Sequence, residues 1–114
     1  MDAYNANPTS ISAAIKNFHL QKKENKICIL GDMFELGEDS QMEHAAIVSE
    51  CLHLDLGTVI FIGEEFLKAK NEKFIFVKTC EEALELTALK DLKHSYILLK
   101  ASRGMQFEKL LTAF

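Results

Sequence analysis

The sequence predicts a Rossmann-like, doubly wound α/β fold, with a mainly parallel sheet and helices on both faces. Four short runs rich in Ile, Val, Leu and Phe are typical of strands buried on both sides, at 26–30, 58–62, 74–77 and 96–99. Helical patterns separate these runs, and strands that alternate with helices favour a parallel sheet. Because no repeat, low-complexity tract or linker interrupts the 114 residues, we expect one domain.

Helices are predicted from apolar spacing together with capping residues. Asn7-Pro8 supplies a cap and a preset first φ for a helix over 9–19, whose apolar stripe is Ile11, Ala14, Ile15 and Phe18. Ser40 with Glu43 forms the pattern of a capping box. The helix that it begins carries a stripe of Ala46, Ile47, Glu50 or Cys51, and Leu54.

The second half of the chain repeats the strand–helix pattern. We expect a short helix over 64–70 and a second capping box, Thr79 with Glu82, that begins a helix through about 89. A final helix is predicted over 105–113.

Composition excludes several classes of function. The chain is 48% hydrophobic and 26% charged, with a net charge of −4 and scattered Lys and Arg, so no basic patch indicates a nucleic-acid partner. No apolar run approaches the roughly 20 residues of a membrane span, and the first residues lack signal-peptide features. Cys28, Cys51 and Cys80 are odd in number and lack a Cys-x-x-Cys pair. They indicate buried thiols in a reducing compartment, so we expect a cytoplasmic protein.

Candidate binding residues follow the strands, because open α/β sheets bind ligands beyond the carboxyl ends of their strands. This rule marks the stretches 31–37, 63–65 and 100–104. The loop 31–37 has Gly at both ends and two acids, Asp32 and Glu35, which could hold an ammonium group or a metal. An ordinary loop with solvated acids explains the same pattern equally well. His44, in the first turn of the next helix, could reach the same cleft, although a lone histidine is more often a surface residue.

The last loop, 100–104, combines features that suit an anion. Ser102 can cap the final helix, whose free N–H groups favour negative charge, and Arg103 adds a fork of donors for a carboxylate or phosphate. A plain cap beside a surface arginine is the simpler alternative. The segment 2–8 contributes Asp2, Tyr4, Asn5 and Asn7, which could contact a ribose, a base and phosphates or could be turn residues.

Neither common nucleotide signature is present. The sequence has no G-x-x-x-x-G-K-[ST] and no G-x-G-x-x-G. The domain therefore cannot cradle a triphosphate alone, and any ATP chemistry must be shared with another domain.

Three segments in register resemble the C-terminal domain of the Mur ligases: DAYNANP at 2–8, LGDMFELGE at 30–38 with His44 behind it, and KASRGM at 100–105. The similarity covers essentially the whole chain. It implies a three-domain cytoplasmic enzyme of peptidoglycan synthesis, of which residues 1–114 are the part that closes over the nucleotide. The N-terminal UDP-sugar domain and the central ATPase domain, which would hold most of the ATP and Mg²⁺ contacts, are expected to be absent from this chain.

Within the family, the pattern is most similar to members that add D-alanyl-D-alanine to UDP-N-acetylmuramoyl-tripeptide through an acyl phosphate. The resemblance implies that Asp2, Tyr4, Asn5 and Asn7 lie around the nucleotide. It implies a dipeptide site lined by Asp32, Glu35, His44, Ser102 and Arg103. No catalytic residue and no metal ligand is expected in this chain, which should be inactive alone.

The alternative is a non-catalytic signalling or ligand-binding module of receiver type. Asp32 after the first strand and Lys100 after the fourth suit it superficially. A receiver also needs an aspartate at the end of its third strand, where this sequence has Val77-Lys78.

Overall fold

The computed structural model describes residues 7–86 and 95–101, which form one parallel sheet with helices packed on it. In chain order the elements are α1 (Pro8–Leu20), β1 (Lys26–Gly31), a 3-10 helix (Gly37–Asp39), α2 (Ser40–Cys51), β2 (Thr58–Ile62), α3 (Glu64–Leu67), β3 (Ile75–Val77), α4 (Cys80–Leu84) and β4 (Tyr96–Lys100). The described strands pair in parallel in the order β3-β2-β1-β4. The predicted Rossmann-like fold is confirmed. The predicted helix over 105–113, and the end of the helix expected to reach 89, lie outside the described residues.

The two central strands, β1 and β2, are buried on both faces, the edge strands β3 and β4 are partly buried, and alternate residues supply two separate cores. In β1, Cys28 and Leu30 belong to the core under α1, α2 and α3. Ile27 and Ile29 belong to the opposite core, which α4 covers through Cys80 and Ala83. The predicted helices on both faces of the sheet are therefore confirmed. Because successive side chains of a strand point to opposite faces and both faces are covered, these strands are apolar at nearly every position.

The first helix begins where the sequence predicts. The Asn7 side chain accepts the N–H of Ser10 at 2.8 Å, Ser10 returns a bond to the Asn7 N–H, and Pro8 occupies the first turn. Ile11 and Ile15 are fully buried. Each such side chain stabilises the fold by about 1.5–3 kcal/mol relative to exposure.

The second helix has the predicted start, but its N-terminus is not capped as predicted and its buried face differs in part. The N-cap position is held by Asp39, and Ser40 already has helical backbone angles, φ −54° and ψ −51°. The predicted capping box of Ser40 with Glu43 is therefore wrong, and the Ser40 hydroxyl donates to Glu65. Ala46 is exposed, contrary to the predicted stripe. The buried residues are His44, Ile47, Val48 and Cys51, spaced i, i+3, i+4 and i+7. Ile47 and Cys51 of the predicted stripe are therefore confirmed, whereas the stripe did not include His44 or Val48.

The second capping box is confirmed. The Thr79 hydroxyl accepts the N–H of Glu82 at 3.1 Å, and the Glu82 carboxylate accepts the N–H of Thr79 at 3.3 Å. Cys28, Cys51 and Cys80 are all buried thiols that form no disulfide, as predicted.

A buried lysine hydrogen-bonds the end of α1 to the edge of the sheet at which the strands begin. Lys26, the first residue of β1, donates from Nζ to the carbonyl oxygens of Phe18 (3.0 Å), Gln21 (3.1 Å) and Asp55. Its side chain is 3% exposed. Because the C-terminal turn of α1 is held beside the start of β1, α1 runs antiparallel to the strand and begins toward the sheet's carboxyl edge.

Candidate functional site

The parallel strands bring the predicted loops to one edge of the sheet. The pairing of β1 with β2 continues beyond the strand, since the Asp32 N–H donates to the Ile62 carbonyl at 3.1 Å. Gly63 follows β2 at this edge and donates to Val77 of β3 at 2.9 Å. Lys100 pairs with Leu30, so β4 also ends here. The carboxyl edge therefore gathers the ends of all four described strands.

Asp32 is buried and bonded to the start of α3. Its Oδ2 accepts the N–H of Glu65 at 2.9 Å and its Oδ1 accepts the N–H of Phe66 at 3.0 Å. Gly63, the N-cap of α3, has no side chain for this purpose. A carboxylate from the neighbouring strand thus caps the helix. Burial raises the pKa of the Asp32 carboxyl, and the two backbone N–H bonds partly offset that effect.

His44, in the first turns of α2, is completely buried between the loop and α3. Its Nε2 accepts the N–H of Met33 at 2.9 Å, and its Nδ1 lies 2.7 Å from the carbonyl oxygen of Ser40. Since an amide N–H points at Nε2, that nitrogen is unprotonated and Nδ1 carries the proton. The ring packs edge-on against Phe66, with 4.6 Å between ring centroids. His44 Nε2 also lies 3.9 Å from Asp32 Oδ1.

Ser40 and Glu65 complete this connection between α2 and α3. The Ser40 hydroxyl donates to Glu65 Oε1 at 2.9 Å, and Lys68 contacts Glu65 Oε2 at 3.2 Å. The bond from Ser40, followed by that from Lys68, lowers the pKa of Glu65. Glu65 lies in the stretch 63–65, one of the three that the sequence marks as candidates for ligand binding, whereas no sequence pattern predicts a role at the site for Ser40.

The rest of the loop has both buried and exposed side chains. Met33 is buried in the core and Leu36 is partly buried against it, while Phe34 and Glu35 between them are exposed. Glu35 has a φ of 64°, in the left-handed region that costs a non-glycine residue about 1–2 kcal/mol. Backbone strain of this kind is common at ligand-binding loops. Glu35 is therefore the loop's predicted site acid that a ligand can reach.

Of the remaining predicted site residues, one is described by the structure. Asn7 is exposed and its side chain caps α1. Asp2, Tyr4, Asn5, Ser102 and Arg103 lie outside the described residues. The structure thus places Asp32 and His44 side by side, 3.9 Å apart and each hydrogen-bonded to the backbone, and leaves Glu35 exposed.

Simple periodicity would have indicated the buried positions. Asp32 continues the alternation of Cys28 and Leu30, so its side chain faces the layer of α1, α2 and α3. His44 shares the helical spacing of Ile47 and Cys51. Both signals are visible in the sequence once a polar side chain is allowed a core position.

The described residues do not fit a magnesium site. Within 7–86 and 95–101, no three His, Cys, Asp or Glu side chains cluster closely enough to hold a metal ion. Both oxygens of Asp32 are already engaged by backbone N–H groups, which leaves this carboxylate poorly disposed toward a cation.

A second concave surface lies between α1 and α2. This groove of about 610 Å³ runs from Pro8 past Glu43 and Ala46 to Glu50. Glu50 is held there by the Ser12 hydroxyl at 3.0 Å and by Lys16 at 3.6 Å. No sequence pattern indicates this groove.

These features define an α/β domain with a parallel sheet, at whose carboxyl edge the predicted loops begin. The family model "Mur ligase, glutamate ligase domain" matches residues 1–103. The chain therefore belongs to the Mur ligase family, as a C-terminal domain, and the receiver-like alternative is not favoured.

Individual relatives share a more specific description. The chain is 32% identical to the UDP-N-acetylmuramoyl-tripeptide–D-alanyl-D-alanine ligase of Rickettsia prowazekii, over 96% of this chain and 26% of that protein. Its fold is similar to a crystal structure of MurF from Acinetobacter baumannii, with a TM-score of 0.81, 30% identity, and coverage of 98% of this chain and 26% of that one. MurF from Thermotoga maritima in complex with ADP gives a TM-score of 0.78 and 28% identity, covering 99% of this chain and 26% of that one.

The chain thus spans about a quarter of the length of the relatives that it matches. Among the helices that the structure describes, none is long and apolar enough to cross a membrane.

Proposed function

We propose that residues 1–114 are the substrate-closing domain of a cytoplasmic, ATP-dependent ligase of peptidoglycan synthesis. The full-length enzyme joins D-alanyl-D-alanine to UDP-N-acetylmuramoyl-tripeptide. The observation that carries the proposal is the match over nearly the whole chain to ligases described by that reaction. The ADP complex of a similar protein supports a nucleotide as cosubstrate.

The reaction has two steps. ATP transfers its γ-phosphoryl group to the terminal carboxylate of the tripeptide, which gives an acyl phosphate and ADP. The dipeptide amine then attacks the acyl carbon, the C–O bond to phosphate breaks, and an amide and inorganic phosphate result. The present domain contributes binding and orientation, which can supply several kcal/mol by fixing the amine near the acyl carbon.

We assign the ATP and Mg²⁺ contacts mainly to a central ATPase domain of the full-length enzyme. The absence of a phosphate-binding loop from the sequence supports this division. Asp2, Tyr4, Asn5 and Asn7 would approach the nucleotide from this domain. The position of α1, which begins toward the carboxyl edge of the sheet, favours such a role for Asn7.

The dipeptide site would combine Glu35 with Ser102 and Arg103. An exposed carboxylate suits the ammonium end of the dipeptide, and an arginine beside a helix N-terminus suits its carboxylate. Asp32 and His44 would support this site from below, since their polar atoms already bond to the protein.

Substitution of Glu35 in the full-length enzyme tests the assignment. Glu35→Gln keeps the size of the side chain and removes the charge, and hydrogen bonds to charged groups contribute about 1.5–3 kcal/mol. We therefore expect the KM for D-alanyl-D-alanine to rise about 10- to 100-fold, with the KM for ATP unchanged. Arg103→Ala should raise the same KM.

Glu38 provides the matched control, because it is an exposed acid three residues away, in the 3-10 helix. Glu38→Gln should leave both KM values unchanged. If the dipeptide KM is the same in wild type, Glu35→Gln and Arg103→Ala, the site assignment is wrong. If wild type forms no ADP when dipeptide, tripeptide substrate and ATP are all present, the proposed function itself is wrong.

A further inference from the structure

We propose that His44 is a positioning residue for the acidic loop, acting as a fixed neutral hydrogen-bond acceptor and donor rather than as a ligand or proton carrier. The inference rests on the proposed function, because it assumes that the loop binds the dipeptide. The inference goes beyond that function by naming the His44 side chain as the group that sets the loop's conformation. Ser40 and Glu65 in turn hold His44 in place.

The ring of His44 has no nitrogen left for a substrate. Nε2 accepts from Met33 at 2.9 Å and Nδ1 is 2.7 Å from the Ser40 carbonyl oxygen. The side chain is 0% exposed. A substrate contact would require the loss of one of these bonds and the opening of the packing against Phe66.

The bond to Met33 acts on the loop at the point where it leaves the sheet. Met33 follows Asp32, whose backbone still pairs with β2 and whose carboxylate holds α3. The backbone direction of Met33 fixes where the next two residues project, and Glu35 then adopts its φ of 64°. Without an acceptor at His44, the buried N–H of Met33 would lack a hydrogen-bond partner. Rearrangement of the loop would then be favoured, because it could expose this N–H to water.

The first turn of α2 is in turn fixed from the other side. Ser40, which binds Nδ1 through its carbonyl oxygen, donates its hydroxyl to Glu65 of α3. The loop, α2 and α3 are therefore connected through one imidazole. Such support is what a binding loop needs, because small displacements of a positioned group cost large factors in rate.

Two substitutions in the full-length enzyme separate positioning from direct chemistry. His44→Gln keeps an acceptor and a donor on one planar group but cannot titrate or replace an imidazole in proton transfer. His44→Leu keeps apolar bulk and removes both functions. We expect His44→Leu to raise the KM for the dipeptide about tenfold, the factor that corresponds to one unsatisfied buried N–H. We expect His44→Gln to stay within about threefold, and the KM for ATP to be unchanged in both.

The comparison is decisive in either direction. If His44→Gln is as impaired as His44→Leu while both melt as cooperatively as wild type, the imidazole itself is required and the proposal is overturned. If His44→Leu binds the dipeptide like wild type, the positioning role is likewise overturned.

A measurement on the unmutated 114-residue chain keeps the proposal testable if the variants do not fold. Long-range ¹H–¹⁵N spectra should show the His44 ring protonated at Nδ1 and unprotonated at Nε2 at neutral pH, with slow exchange of the Met33 amide. A proton on Nε2, or a Met33 amide that exchanges as fast as it does in the urea-unfolded chain, would overturn it. If the full-length enzyme shows no dipeptide ligation, the proposed function fails while these spectra still decide the role of His44.

Discussion

Gly63 connects β2 to α3 with a φ of 133° and a ψ of 162°, and its α-carbon faces the carboxylate of Asp32. A Cβ built at this position would overlap the Cγ and both carboxylate oxygens of Asp32. Gly63→Ala therefore tests whether the connection between Asp32 and the start of α3 contributes to stability. The substitution adds one methyl group and no charge, so its effect should come from this contact and from the backbone.

The expected cost has two parts. The backbone conformation lies in a region almost confined to glycine, which costs about 1–3 kcal/mol for alanine. The methyl group must also displace a carboxylate that accepts the N–H groups of Glu65 and Phe66. The loss of one such charge-assisted bond costs about 1.5–3 kcal/mol. We expect a destabilisation of about 3–5 kcal/mol, a large fraction of the 5–15 kcal/mol typical of a domain.

Urea unfolding of the chain, followed by far-UV circular dichroism, measures this free energy. Gly37→Ala is the matched control, since Gly37 has a φ of 61° but nothing within 4 Å of the position that a Cβ would occupy. It should cost only about 1–2 kcal/mol. In an Asp32→Ala background, Gly63→Ala should lose the part of its cost that comes from the carboxylate. The reasoning is refuted if Gly63→Ala costs no more than Gly37→Ala, or if its cost is the same with and without Asp32.

Two further predictions concern the buried layer under α1, α2 and α3. Lys26→Met should lower the free energy of unfolding by at least about 2 kcal/mol, because it removes the donor from three carbonyl oxygens. The control Lys22→Met, at an exposed position, should change this free energy by less than about 0.5 kcal/mol. Equal effects of the two substitutions would contradict the role of Lys26. Burial raises the pKa of the Cys28 and Cys51 thiols, that of Cys51 to about 12. Ellman's reagent at pH near 8 should therefore label these two thiols at least about a hundredfold more slowly in the native chain than in urea; comparable rates would show that the thiols are accessible.

Hydrophobic pattern was sufficient to predict the sheet. Runs such as Lys26–Gly31 and Thr58–Ile62 are apolar on both faces, and this pattern is typical of strands in a covered parallel sheet. The caps at Asn7 and Thr79 were also predictable, because each satisfies backbone N–H groups within three residues along the chain. Local geometry decides such features, and local sequence encodes them.

The predicted Ser40 cap is wrong because the helix already includes Ser40, which has φ −54° and ψ −51°, and Asp39 holds the N-cap position. The Ser40 hydroxyl instead contacts a distant group. Glu65 lies 25 positions away in sequence and accepts the Ser40 hydroxyl at 2.9 Å. No local pattern reports that distance. Pattern alone also left two explanations of the acidic loop open, since neither burial nor hydrogen bonding can be seen in a list of residue types.

The acidic loop shows how alternation can separate the roles of two carboxylates. The backbone of Asp32 continues the pairing of β1 with β2, so its side chain points to the same face of the sheet as that of Leu30. There its carboxylate accepts N–H groups at the start of α3. By Glu35 the chain has left the ladder and the side chain is exposed. A carboxylate in register with a buried strand is therefore expected to complete the protein's own hydrogen bonds, whereas one beyond the last paired residue is available to a ligand. On this reasoning the stability of the domain should depend more strongly on Asp32, and the affinity of the full-length enzyme for its dipeptide more strongly on Glu35.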